Sequence, residues 1–349
     1  MEKKRKMKRL AQIAICVLIG LLAGCGKSKP VLHLYCWADY ISPDLIRTFE
    51  KVNNCRVIYD TFDSNEAMVA KLQAGATGYD IIFPSHYVVN SLAESGKLAE
   101  IDQSKLICLD NLDKELLAAM PDSACKYSVP YTLSYTGIGY NKDAVKDFKP
   151  SWTMFNRSDL QRRATLLDDK REVIGAALLT AGLDPNSTKP EDLLKAKEII
   201  KVWIGNVSKF ENEQYKNGLA SNEFHLVMGY SGDLMQIIEE NPSLAFVIPD
   251  EGALMSCDVM VIPATAPNPD LAYAFINFIH DPTNAAENIE YTCYLSPNKA
   301  AYPLLPDSIK KNPAIFLDRK ILEKSRFTID QKEGEAAFNK LWEDIKAGR

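Results

Sequence analysis

The chain has 349 residues, of which 41 are Lys or Arg and 46 are Asp or Glu, for a formal net charge of −5. An acidic surface repels phosphate backbones, which disfavours nucleic acid as a partner, and it weakly concentrates cationic solutes. The length allows two domains, each with its own core.

The first residues set the compartment. Six basic residues between Lys3 and Arg9 precede an apolar run from Leu10 to Leu22, which leads into Leu22-Ala23-Gly24-Cys25. About a dozen apolar residues fall short of the roughly 20 that span a bilayer, so 1–24 reads as a signal peptide and not as a membrane helix. Leu-Ala-Gly-Cys resembles the lipobox of bacterial lipoproteins. That resemblance implies cleavage before Cys25, acylation of Cys25, and a soluble periplasmic domain anchored by lipid to a bacterial membrane. Cleavage removes six basic residues and Glu2, taking the net charge from −5 to about −10. Cys16 leaves with the signal. Cys36, Cys55, Cys108, Cys125, Cys257 and Cys293 show no CxxC or metal-type spacing. Free, buried thiols are therefore expected, although an oxidising compartment permits disulfides.

The mature chain alternates strands and helices. Val31 to Cys36 predicts a strand, Ser42-Pro43 starts a helix to about Lys51, and Arg56 to Asp60 predicts the next strand. Ser64 to Gln73 predicts a helix, and Tyr79 to Phe83 a buried strand ending at Pro84-Ser85, which completes a βαβαβ unit. Strands follow near Tyr135 to Tyr140 and Ala164 to Leu167, then helices from about Lys170 to Ala181 and from Pro190 to Val202. His225 to Gly229 reads as strand, Gly232 to Glu239 as helix, Leu244 to Val247 and Asp258 to Ile262 as strands, and Asn268-Pro269 as a helix start running to Ile279. The pattern shows no repeat or long linker. Two α/β lobes with more than one chain crossing explain it.

Enzyme readings lack parts. Gly229-Tyr230-Ser231-Gly232 is not a GxSxG elbow, no GxGxxG or Walker A sequence occurs, and His33, His86, His225 and His280 are scattered. No enzyme, metal site or cofactor is expected. What stands out is a set of aromatic and acidic residues at strand-to-loop junctions: Trp37 with Asp39 and Tyr40, Tyr87 after Ser85, Asp169 with Glu172, Tyr230, Asp258 and Tyr294. Each has a plainer reading. Asp169 and Glu172 suit the first turn of a helix through its dipole, and Trp37 and Tyr40 suit core packing. Asp258 is harder to dismiss, because a carboxylate beside the apolar Val259-Met260-Val261-Ile262 is costly without a partner.

Taken in order, Trp37-Ala38-Asp39-Tyr40, Asp63-Ser64-Asn65-Glu66, Tyr79-Asp80, Pro84-Ser85-His86-Tyr87, Asp168-Asp169-Lys170-Arg171-Glu172-Val173, Tyr294 before Pro297-Asn298, and the closing Lys346-Ala347-Gly348-Arg349 resemble the periplasmic spermidine/putrescine-binding proteins of ABC importers. The resemblance covers nearly all of the mature chain. It implies a two-lobed type II periplasmic-binding-protein fold with the ligand in the cleft, lobe 1 being 25–133 with 257–303 and lobe 2 being 134–256 with 304–349. It implies a monomer that carries putrescine or spermidine to permease subunits of an ABC importer, with aromatic or hydroxyl contacts from Trp37, Tyr40, Tyr87, Tyr230 and Tyr294. Ser85 is implied as a polar contact, and Asp39, Asp169, Glu172 and Asp258 as receivers of the amines. Two positions depart from the family: Ser256 stands where relatives have a large aromatic, and Thr328 is the best match to a Gln. The rival reading within this architecture is a receptor for another small solute, and the rival from another class is a polyamine sensor acting through a membrane partner.

Overall fold

The computed structural model describes residues Lys29–Gly348. The basic and apolar leader and Cys25 lie outside the described residues.

The strands are β1 (Val31–Cys36), β2 (Arg56–Thr61), β3 (Ile81–Ile82), β4 (Ser128–Asn141), β5 (Ala164–Leu166), β6 (Lys209–Phe210), β7 (Leu226–Tyr230), β8 (Leu244–Val247), β9 (Leu254–Val261) and β10 (Arg326–Phe327). The helices of nine residues or more are α1 (Pro43–Val52), α2 (Asn65–Gln73), α3 (Lys170–Thr180), α4 (Pro190–Asn206), α5 (Ser231–Glu240), α6 (Pro269–Ile279), α7 (Pro282–Thr292) and α8 (Glu335–Lys346).

Local sequence explains the first unit. β1 pairs in parallel with β2 along its whole length and with β3 on its other side. α1 opens with Pro43 in its first turn, where a missing N–H costs nothing, and buries Leu45 and Phe49 one turn apart. Phe49 meets the rings of Phe275 and Phe278 edge-on at 5.1 and 5.3 Å. Removing such a ring leaves a cavity worth about 3–5 kcal/mol. Ser42 does not cap α1 with its side chain. Its N–H instead donates to Asn288 on α7 and its hydroxyl to Glu287, because the loop packs against that helix.

β4 explains why no linker is visible. Its first half, from Ser128 to Tyr135, pairs antiparallel with β9 in the sheet of β1, β2 and β3. Its second half, from Thr136, pairs antiparallel with β7 and β8. One strand thus serves two sheets, and β9 returns beside it, from Leu254 in the second core to Val261 against β3. The strand expected at Tyr135 to Tyr140 therefore starts seven residues earlier, at Ser128. Pro130, which argues against a strand, sits where the register shifts between Pro130 and Thr132.

The cores follow the sheets. Val259 and Val261 face a cluster with Met68, Ile82 and Ile289, while Met260 and Ile262 face one with Leu34, Phe49 and Phe275, as a period of two requires. Around the second sheet, Trp152, Phe155, Trp203 and Met228 pack with Phe338 and Leu341 of α8. Leu305, Ile309, Ala314 and Ile315 pack with Ile82 and Val259. Just before that stretch, the Tyr302 hydroxyl donates to the Ser296 carbonyl. Cys36, Cys55, Cys108, Cys125, Cys257 and Cys293 are free and buried. Among the described residues no helix is long and apolar enough to cross a membrane.

Candidate functional site

The loops at the strand ends of both sheets enclose a cavity of about 190 Å³. After β1 the chain turns through Asp39, whose φ of 52° is left-handed, and so presents Trp37 and Tyr40 from one short loop. The Trp37 indole packs on Phe62 at 4.4 Å, and Tyr40 packs edge-on against Tyr131 and Tyr294 at 5.5 and 5.3 Å.

Asp258 lies within β9, four residues past its start at Leu254, and the residue is 7% exposed. The Tyr40 hydroxyl donates to one of its oxygens at 2.5 Å, and the Ser85 hydroxyl donates to the other at 2.7 Å. Thr132 meets the Tyr40 hydroxyl. Ser85 is itself held: its N–H donates to Asn65 at 3.1 Å, and the Asn65 amide donates to Ser85 at 3.0 Å and to the Tyr87 hydroxyl at 2.8 Å. Burial pushes the Asp258 carboxyl up to about 6, with the two hydroxyl donors only partly offsetting it. Its partners are thus neutral.

The second sheet contributes a different set. Asp169 caps α3 by accepting from the N–H groups of Arg171 and Glu172 at 2.8 and 3.2 Å. Glu172 is 4% exposed, and its Oε2 has no partner. Burial first, and then the Asp169 charge, push its carboxyl up to about 8. Burial, followed by Glu66, also raises Asp169. The nearby Arg171 does not neutralise them fully. Its guanidinium lies over the Tyr87 ring at 4.3 Å and pairs with Glu335 at 2.6 Å and Glu66 at 3.4 Å, while Lys170 pairs with the same two acids.

Tyr230 ends β7 and packs against both the second core and the core containing Phe49. Tyr294 lies flat against the start of α5, which only Gly232 permits: a Cβ there would sit 2.4 Å from the Tyr294 ring. The Tyr294 and Tyr215 hydroxyls both donate to Asp233, at 2.9 and 2.8 Å. Ser256 lies two residues before Asp258 on the same face of β9, and its hydroxyl has no partner.

Trp37 Nε1, Glu172 Oε2, Ser256 Oγ and Asn212 Oδ1 are buried polar atoms without partners, and all four residues line this one cavity. Buried polar groups are normally paired, and these four are open to a polar ligand. Asp39, Asp63, Asp169, Glu172, Glu213, Asp233 and Asp258 face it against, among the described residues, the one base Lys216, a balance that favours cations. Among the described residues no group of three or more His, Cys, Asp or Glu is placed to hold a metal ion. Rings beside carboxylates suit an organic cation.

The cavity gathers Trp37, Asp39, Tyr40, Ser85, Tyr87, Asp169, Glu172, Tyr230, Ser256, Asp258 and Tyr294. Thr328 does not line it. Because β10 pairs with β9 at Arg326 and Phe327, Thr328 falls behind the wall, its N–H donating to Met255 and its carbonyl accepting from His86. The sequence reading missed Asn65, Ser134, Asn212, Lys216 and Asp233 as lining residues. Asn65 stood within the quoted Asp63-Ser64-Asn65-Glu66 motif, whereas Asp233 in the first turn of α5 looks like any dipole-complementing acid.

Comparison with known proteins agrees with this architecture. Residues 44–317 match the family model described as bacterial extracellular solute-binding protein. The putrescine-binding periplasmic protein PotF of Escherichia coli is 34% identical, with 100% of this chain and 99% of the relative covered. A solved structure from Listeria monocytogenes, described provisionally as a spermidine/putrescine ABC transporter, superposes with a TM-score of 0.86 at 36% identity, covering 91% of this chain and 99% of that one. The Tp0655 (TpPotD) lipoprotein of Treponema pallidum superposes with a TM-score of 0.81 at 32% identity over 90% of this chain and 99% of its own.

Proposed function

The chain belongs to the bacterial extracellular solute-binding proteins, and from that membership we propose that it captures a short linear polyamine, putrescine or spermidine, and delivers it to the permease subunits of an ABC importer. It is a solute-binding protein and not an enzyme, as its relatives are.

The observation that carries the polyamine reading is the pair of buried carboxylates, Asp258 and Glu172, facing one ring-lined cavity with no cation in direct contact with either. A diaminoalkane has an ammonium at each end and methylenes between. Desolvating it requires carboxylates at separated points and ring faces along the chain. Size fits as well, since a cavity of about 150 Å³ takes a molecule of six heavy atoms such as benzene, and putrescine has six. Calorimetry of the mature domain with putrescine, spermidine, maltose and thiamine at one salt concentration tests this. Heats from the amines alone are expected, and binding of maltose or thiamine with silence from both amines overturns it.

Two lobes, divided as 25–133 with 257–303 and 134–256 with 304–349, would close about β4 and β9 around the ligand. Periplasmic relatives and the Treponema lipoprotein support export and a lipid on Cys25. Cys25→Ser should abolish fatty-acid labelling and leave amine binding intact. Continued labelling of that variant contradicts the anchor.

A further inference from the structure

Resting on the polyamine reading, we infer that Lys216 is a selectivity residue, a built-in ammonium that disfavours ligands with a third positive charge. Lys216 belongs to the short helix Gln214–Ala220 and, among the described residues, is the only base lining the cavity. Its Nζ sits 3.0 Å from Asp39 Oδ2, in the loop after β1, and its side chain is 17% exposed. Burial works against its charge, yet Asp233 and Asp39 outweigh burial and hold its pKa above the usual lysine value. The ammonium is therefore permanent at neutral pH.

Four of the cavity's seven acids thus fall into two classes. Asp39 is answered by Lys216, and Asp233 by Lys216's charge and two tyrosine hydroxyls. Asp258 meets only hydroxyls, and Glu172 keeps an oxygen without a partner. Two ammonium groups satisfy the second class. Any further ammonium that reaches Asp39 or Asp233 meets Lys216 in their field, and like charges in a partly buried site repel strongly. A diamine pays no such penalty.

Calorimetry with putrescine and spermidine tests this on the wild-type mature domain and on Lys216→Met, Lys216→Gln and Lys216→Arg at matched ionic strength. Gln retains a polar tip should Met disturb the short helix. The spermidine-to-putrescine affinity ratio should rise tenfold or more in Met and Gln and stay near the wild-type value in Arg. An unchanged ratio in both neutral variants overturns the inference. So does an equal loss of affinity for both amines, which would assign Lys216 to holding Asp39 across the cavity. Failure of both amines to bind all four proteins overturns the polyamine reading itself, and this inference with it.

Discussion

The two carboxylate ends of the cavity are built on opposite plans. At Asp258, two neutral hydroxyls, from Tyr40 and Ser85, fix the orientation of the carboxylate without cancelling its charge, and every partner belongs to the first sheet and its loops. At Glu172 the surroundings are dense with charge: Lys170 and Arg171 bind Glu335 of α8 and Glu66 of α2. Glu66 lies in α2, more than 100 residues before Lys170 and Arg171 of α3, so this end joins distant parts of the chain. The difference predicts unequal effects when the two carboxylates are changed.

Four measurements break or sharpen that contrast. Asp258→Asn should cost the most, about 2–4 kcal/mol of amine affinity by calorimetry, because a buried ammonium loses its countercharge. The melting temperature of the empty protein should hold, since no cation is orphaned. Full affinity in this variant would remove Asp258 from the site.

pH should move affinity nearly as far. Both carboxyls are raised above the unfolded range of about 4, so the empty folded protein holds protons that the unfolded chain releases, and its stability falls as pH rises above about 4. An ammonium binds the ionised forms. Affinity should therefore climb by up to about tenfold per unit between roughly pH 6 and pH 8, with proton release on binding, and level off above. A flat profile would show that Glu172 is already ionised in the empty protein.

Glu172→Gln should weaken putrescine by about 1–2 kcal/mol, less than the Asp258 change because Asp169 remains beside it. It should raise the melting temperature of the empty protein at pH 8, where a buried charge is removed. Destabilisation there would mean that Glu172 is structural. The smallest effect is expected of Ser256→Trp: a new ring face beside Asp258 should shift the putrescine-to-spermidine ratio by about tenfold. An unchanged ratio would place selectivity elsewhere, with Lys216 the next position to probe.

Much of this was legible in the sequence because strand ends carry local signals. Trp37, Ser85, Tyr230 and Asp258 stand where apolar runs stop or start, and those junctions are where α/β sheets bind ligands. β4 was read short at its start, because Pro130 mimics a breaker, although its Gly137 and Gly139 were read within the strand. In the fold the proline occupies a register shift, and the glycines lie too close to Phe246 and Leu234 for any side chain. Thr328 was misplaced because its segment pairs through only Arg326 and Phe327, too short a strand to fix a register by pattern. Lys216 was invisible: its meaning comes from Asp39, 177 residues away.

The claim that both ends of the cavity read ammonium groups is tested most directly by comparing putrescine with n-butylamine, which keeps the four carbons and loses one charge. Calorimetry of the wild-type mature domain at pH 8 should show putrescine binding at least about a hundredfold more tightly, with Asp258→Asn erasing most of the gap. Equal affinities for the two amines would contradict two-ended recognition.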